Sequence, residues 1–424
     1  LKPKAYIARN TAAAFMENLS NAGNRKNADL VMVSAMMHKI RLIILAIIIL
    51  VLGARLPDRQ AGFSVLAASA ETASYVRVAI IQDAVSLNLK INGSYELIDF
   101  QTNKIICRGK NLKTTVTTDK NSILIADKNL KAPPLLIKTD ARGSVVINGR
   151  IFRGDISLSI KNDNGHLLAI NQIDLEDYIK GILYHEASHY WPQEALKAQA
   201  VVCRTYAAYQ MQESKLKSYD VTSDIYSQVY GGKTSERYRT SLAVDDTRGE
   251  VIMHQDKLVP AYFHATCGGH TEDANLLWKI DIVPLKGVSC GFCQDSPHFR
   301  WHNVLTLTEI AEKLIRAGHK AEGISNITAL GRDSSGRITD LEISAQEKKI
   351  KISAKDFRNI IGPNVIRSVN FQVSIAQHDA VFEGIGWGHG VGLCQWGAYF
   401  MAKQGYGYRK ILQYYYPQTD VKTL

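Results

Sequence analysis

The stretch Asp174-Leu175-Glu176-Asp177-Tyr178-Ile179-Lys180-Gly181-Ile182-Leu183-Tyr184-His185-Glu186, followed by Trp191-Pro192-Gln193-Glu194-Ala195-Leu196-Lys197-Ala198-Gln199-Ala200-Val201-Val202-Cys203-Arg204-Thr205-Tyr206-Ala207, is where the apolar period becomes helical. Asp174 is placed to cap a helix, with Asp177 three positions on and Ile173 and Tyr178 spaced as a hydrophobic staple. A first helix is predicted to run to about Glu186. Pro192 stands where the first turn of a second helix begins. Leu196, Ala200, Cys203 and Ala207 recur at helical spacing and give that helix a small-residue face for burial.

Upstream the pattern alternates. Tyr75-Val76-Arg77-Val78-Ala79-Ile80, Ser122-Ile123-Leu124-Ile125-Ala126 and Ser157-Leu158-Ser159-Ile160 read as strands, punctuated by Asn92-Gly93, Asn148-Gly149 and Asn164-Gly165. Asn164-Gly165 has apolar flanks and predicts a hairpin turn. Downstream, strands are predicted at 250–254, 258–264, 338–343 and 349–352. A helix is predicted near 307–318, and a Gly-rich loop at 384–392 precedes another helix. The fold class is α+β: a β-rich N-terminal part over 71–170, then an α+β region over 171–424 with mixed and antiparallel strands.

The 424 residues suffice for more than one domain, and the net charge of +11 is unevenly spread. Residues 1–41 carry +5 and the remainder +6. That excess suits an anionic partner such as a cell wall or membrane surface. Nucleic acid is not expected, since no zinc-finger, RRM or KH pattern and no dense basic–aromatic stripe is present. Lys39 and Arg41 precede an apolar run over 42–54, which reads as a secretory signal core and is short for a spanning helix of ~20 residues. Ala68-Ser69-Ala70 is a candidate cleavage motif. Residues 37–70 are thus a signal peptide or, if uncleaved, a membrane anchor, and residues 1–36 a leader outside the fold. The expected location is exported, in the cell envelope or outside the cell.

Two constellations carry chemistry. Glu186 sits where one helix ends and another begins. The negative end of the first helix and the rings of Tyr184, Tyr190 and Trp191 would raise its pKa, as a general acid requires. A solvated loop glutamate is the plainer reading on these grounds alone. The second is His264-Ala265-Thr266-Cys267-Gly268-Gly269-His270 with Cys290-Gly291-Phe292-Cys293, within 264–298. C-x2-H and C-x2-C fit a structural zinc held by Cys267, His270, Cys290 and Cys293, with His264 and His298 as alternates for the fourth ligand. A Cys290–Cys293 disulfide is the rival in an exported chain.

The helical stretch above resembles the SpoIID/LytB family of exported cell-wall proteins, with its leucine–glutamate–aspartate–tyrosine opening, loop glutamate and alanine-rich helix. Gly386-Trp387-Gly388-His389-Gly390-Val391-Gly392-Leu393-Cys394-Gln395-Trp396-Gly397-Ala398 resembles the family's second signature, and Tyr414-Tyr415-Tyr416-Pro417 its usual ending. Ala187-Ser188 stand where many members have Met-Pro, and Cys394 where serine is common. The resemblance implies a peptidoglycan lytic transglycosylase with Glu186 as catalytic acid/base. It implies zinc near the cysteine segment. It leaves as alternatives a non-catalytic glycan-binding enhancer of a cell-wall amidase, or a structural envelope protein. Lys197 and Arg204 share a helix face and are candidate ligands for sugar or lactyl carboxylate groups. His389 and Gln395 are candidates for positioning substrate in one groove with Glu186, walled by Trp191, Trp387 or Trp396. The implied partners are peptidoglycan glycan strands, a cell-wall amidase or other envelope proteins, and a membrane through an uncleaved N-terminus.

Overall fold

The computed structural model describes residues 75–424, apart from 120, 121, 127, 132, 133, 162–164 and 347. The leader, the apolar run at 42–54, the motif at 68–70 and Asn164 lie outside the described residues. The fold is β-rich α+β. No helix among the described residues is long and apolar enough to cross a membrane.

Alternating sequence builds an eleven-stranded sheet. In Ser86–Asp99, Leu87, Leu89 and Ile91 are buried while Ser86, Asn88 and Lys90 face solvent, the period-two signature of a half-buried strand. Edge to edge the order is 221–222, 75–84, 167–174, 155–160, 135–139, 86–99, 105–119, 122–125 and 128–131, with 144–147 also pairing 86–99 and 150–152 pairing 144–147. The strands flanking the expected hairpin at 164–165 do pair antiparallel, Leu167 opposite Ile160. Asn148-Gly149 makes the tight turn expected of it, both residues at positive φ (48° and 82°). Asn92-Gly93 does not. It lies inside Ser86–Asp99, where Gly93 at φ 94° shifts the register between Ile91 and Ser94. The long strand bends there and pairs 144–147 on one side of the bulge and 135–139 on the other.

Strand Leu167–Asp174 runs directly into helix α1 (Leu175–Glu186). Asp174 caps it as expected, accepting from the N–H groups of Glu176 (2.9 Å) and Asp177 (3.3 Å). Helix α2 (Gln193–Glu213) follows, with Pro192 one position earlier than expected, as its N-cap. Leu196, Ala200, Cys203 and Ala207 are fully buried, so α2 is the central helix of the first core. Helices α3 (Tyr238–Asp246) and α4 (Ala274–Trp278) complete this part.

A second hydrophobic core, which the sequence reading did not separate, occupies roughly residues 300–385. It holds the sheets 300–306/379–385/371–376 and 324–329/340–345/348–353, with helices α5 (Leu307–Arg316) and α6 (Ala354–Ile361). Thr306 and Glu309 form a reciprocal capping box at the start of α5. The chain then returns to the first core through the Gly-rich loop and helices α7 (Gln395–Lys403) and α8 (Tyr408–Tyr415).

One buried ion pair fixes α1 on α2. Arg204, fully buried, donates from Nε and Nη2 to both Glu176 carboxylate oxygens at 2.7 Å. Its remaining donors reach the carbonyls of Val244 (3.2 Å) and Glu250 (3.1 Å), and Gly249 N–H donates to Glu176 at 3.0 Å. The expectation that Arg204 binds ligand is therefore corrected: its donors are turned inward, and it joins three segments of the core. Arg204→Ala is expected to cost about 3–5 kcal/mol by leaving Glu176 buried and unpaired. Pairing Arg204→Met with Glu176→Leu should recover much of that loss. Urea unfolding of the single and double variants measures both.

Candidate functional site

Glu186 closes α1. Its residue is 6% exposed, and its carboxyl is pushed up to about 8, chiefly by burial, against one opposing hydrogen bond from the backbone of Val229. The groups that feel its charge are Tyr178, Cys203 and Tyr206. These differ from the sequence neighbours expected to bury it. Tyr190 is 81% exposed, and the ring of Tyr184 packs under the Arg237 guanidinium at 4.3 Å. The desolvation comes from the inward face of α1 and from α2, brought over Glu186 by tertiary packing.

The two distant motifs do meet. Gln395, the first residue of α7 and 2% exposed, donates from Nε2 to the backbone carbonyl of Glu186 at 3.0 Å. Its second contact is Gln199 of α2, at 3.4 Å. The other expected ligands are placed differently. Lys197 pairs with Glu194 (3.3 Å) and Asp246 (3.2 Å). His389 spends both ring nitrogens on the backbone: Nε2 donates to the Phe263 carbonyl at 2.9 Å and Nδ1 accepts from Val391 N–H at 3.1 Å. Burial holds it well below the ordinary histidine range, so it is a neutral staple of the loop. It nevertheless belongs to a chain of edge-on rings, His389 to Tyr262 (6.3 Å) to Tyr206 (6.2 Å), that ends beside Glu186.

A second row of rings starts at the α1–α2 loop. Trp191 packs on Trp396 and Tyr399, each at 5.2 Å, Trp396 on His298 at 5.9 Å, and His298 on Trp387 at 5.0 Å. Trp191, Trp396, Tyr399 and His298 are half-buried. All three tryptophans expected at the groove walls therefore belong to one row.

The cysteines form a cluster of their own. The Sγ atoms of Cys267, Cys290, Cys293 and Cys394 all lie within 4.8 Å of one another, all four residues are buried, and none forms a disulfide. Tetrahedral zinc–thiolate bonds of ~2.3 Å would set sulfur atoms ~3.8 Å apart, and Cys267 and Cys293 stand 3.5 Å apart. Backbone N–H groups point at the sulfurs: Cys267 and Gly397 donate to Cys394 at 3.3 Å, and Gly269 to Cys267 at 3.4 Å. Such donors stabilise thiolate ligands. Four buried cysteines that can hold a metal ion are therefore present, but the fourth ligand differs from expectation. His270 turns Nδ1 to the Thr271 carbonyl (2.6 Å), His264 turns its own to Val391 (3.1 Å), and His298 lies in the ring row. Cys394 arrives instead because strand Leu393–Cys394 pairs in parallel with Phe263–His264. Its one sequence signal was a cysteine where the related motif carries serine. Cys394 also caps α7 through Sγ, so the exchange retains the capping acceptor.

Residues 163–254 match the family described as stage II sporulation protein, and residues 287–392 a domain of unknown function. The chain is 32% identical over 350 residues to an uncharacterized protein of Brachyspira hyodysenteriae, covering 82% of this chain and 92% of that protein. It is 29% identical over 269 residues to stage II sporulation protein D of Bacillus subtilis, covering 60% of this chain and 76% of that one. The amidase enhancer of Bacillus subtilis is 25% identical over 390 residues, 80% of this chain and 50% of that protein. The chain belongs to the SpoIID/LytB family.

Two outcomes follow from this geometry. Because the folded Glu186 carboxyl titrates near 8 and the unfolded one near 4.5, the folded state holds the proton more tightly. Its contribution is fully present below the lower value and lost as pH rises to the upper. Relative to Glu186→Gln, the wild type should lose about 1.4 kcal/mol of stability per pH unit in that window, measurable by denaturation at several pH values. For the cysteines, Cys394→Ser should lower the metal content of purified protein well below one per chain, while His270→Ala leaves it unchanged, as elemental analysis would show.

Proposed function

We propose that this chain is an exported cell-envelope protein that cleaves peptidoglycan glycan strands at N-acetylmuramic acid without water, with Glu186 as the acid and then the base. The observation that carries the reading is a buried carboxyl at the junction of the two family motifs, held protonated up to about pH 8. In the first step Glu186 gives its proton to the glycosidic oxygen, and the bond from that oxygen to C1 breaks. The Glu186 carboxylate then takes the proton of the sugar's own 6-hydroxyl, whose oxygen closes on C1 to give a 1,6-anhydro end and restore the acid. The nucleophile is part of the substrate, so one carboxyl suffices, in contrast to the carboxylate pair of ordinary glycosidases.

Gln395 fixes the Glu186 backbone, while the half-buried rings of Trp191, Trp396 and Tyr399 offer apolar faces to sugars. Zinc is the metal that four cysteines suit best, and a closed set of four protein ligands supplies folding stability and no reactive water. Cys267, Cys290, Cys293 and Cys394 would hold it, linking the segment before the second core to the start of α7.

The similarity to an amidase enhancer favours one alternative, in which the chain binds glycan for a cell-wall amidase without cutting it. Incubation of the full chain with purified glycan strands, with and without stem peptides, separates the two. Anhydro-muramic ends detected by mass spectrometry are expected from the wild type, with at least a hundredfold less from Glu186→Gln, on the order of the contribution of a general acid. Glycan binding with no anhydro ends from the wild type would favour the enhancer.

A further inference from the structure

Five buried side-chain polar atoms among the described residues have no hydrogen-bond partner: His264 Nε2, Arg337 Nε, Arg358 Nε, Arg367 Nε and Trp387 Nε1. Folded proteins rarely leave such atoms unsatisfied, and each instance asks for a cause. Here they share one neighbourhood, the loop 386–390. Gly388 N–H donates to the Arg367 carbonyl at 2.9 Å, and Arg358 Nη2 donates to that carbonyl at 3.2 Å. A side chain at Gly388 would strike His264, and one at Gly390 would strike the Arg337 guanidinium, at 2.6 and 2.5 Å. Four of the five atoms are donors, because His264 spends its own N–H on Val391.

The charge is as unbalanced as the hydrogen bonding. Arg337 has Glu272, at 3.8 Å. Arg358 and Arg367 have no ion pair among the described residues, and burial together with Arg337 lowers Arg358 to about 10. Arg367 lies 4.6 Å over the Trp387 ring and is near enough to His298 to depress its protonation. Arg367 and His298 are half-buried, so solvent reaches this corner, while the N–H of Trp387, a residue 4% exposed, has no partner. Stacking on the ring leaves the edge of a guanidinium free for a planar, bidentate partner.

We propose that Arg367 and Trp387, backed by Arg358, form a carboxylate-binding subsite at the far end of the ring row that begins beside the Glu186 loop. It rests on the reading of the chain as a glycan-binding protein, and it gives the second core a role: that core supplies Arg358 and Arg367, the charged half of a site whose aromatic half belongs to the family motif. Peptidoglycan carries carboxylates in the lactyl group of muramic acid and in its stem peptides, and either satisfies the chemistry.

The test is calorimetric binding to the full chain carrying Glu186→Gln, which keeps ligand uncut. The probes are an alternating N-acetylglucosamine–N-acetylmuramic acid tetrasaccharide with free lactyl carboxylates, its methyl amide, and the same sugar bearing stem peptides, with inorganic phosphate as competitor. A free carboxylate is expected to bind about tenfold more tightly than the amide, the scale of a charge-assisted hydrogen bond. Arg367→Ala should erase that preference and leave the affinity for the amide unchanged. Trp387→Phe, which keeps a smaller aromatic face and removes the N–H, should reduce it. A preference carried by the stem-peptide probe alone assigns the carboxylate to the peptide, and one carried by the bare glycan assigns it to the lactyl group; both support the subsite. Equal binding of all three probes, a preference that survives Arg367→Ala, or competition by phosphate without any preference for carboxylate would overturn it. Because no turnover is read, the subsite can stand where cleavage by Glu186 fails, and can fall where cleavage is found.

Discussion

The hydrogen bond from Gln395 Nε2 to the carbonyl of Glu186 spans 209 positions of sequence and, with Trp191 on Trp396, joins the two family motifs. A helix leaves its last carbonyls without partners, and here one is answered by a side chain from the first residue of another helix. Gln395 has little freedom of its own. The preceding residue, Cys394, sits in the thiol cluster, caps α7 through its sulfur, and is paired to His264 by a short parallel ladder. The cysteine cluster is thus one residue removed from the group that positions the end of α1. The order of the Gly-rich loop and the placement of Glu186 are one constraint seen from two sides.

That constraint matters because the carboxyl it positions is costly to bury. Tyr178, Cys203 and Tyr206 surround Glu186 with groups that are themselves neutral, and burial raises their pKa values as well. No cation stands among the causes of the Glu186 shift. Arg204, one residue beyond Cys203 on α2, is committed to Glu176 and thereby kept from neutralising it. The buried ion pair that holds α1 on α2 and the unpaired carboxyl at the end of α1 are separate electrostatic arrangements on the same two helices.

Much of this was legible. Asp174 and Pro192 announce two helix starts by local chemistry that needs no tertiary context, and the stripe Leu196, Ala200, Cys203, Ala207 announces the buried face. What escaped was set by distance. Asn-Gly reads identically as a turn at 148–149 and as a bulge at 92–93, and only the strands paired on either side decide between them. Arg204 reads as a helix-face cation until Glu176 is seen opposite it. His270 fits the spacing of a zinc ligand, but spacing cannot know that a ladder delivers Cys394 from across the second core. The boundaries of that core were invisible because its strands and helices carry the same periodicities as the rest.

The second core enters and leaves the first through adjacent strands, Arg300 opposite Ile385, and Gly386 N–H already reaches the Phe299 carbonyl at 2.7 Å. Its two ends are therefore as close as the ends of a hairpin. In geometric terms the module is built as a cassette: some eighty-odd residues inserted at a point where a tight turn would close the gap. The cysteines stand outside that neck, with Cys290 and Cys293 before it and Cys394 after it. A lineage that exchanged the cassette would keep all four cysteines but would have to replace Arg337, whose guanidinium reaches out of the second core to the carbonyls of Cys267 (2.7 Å) and His270 (3.0 Å).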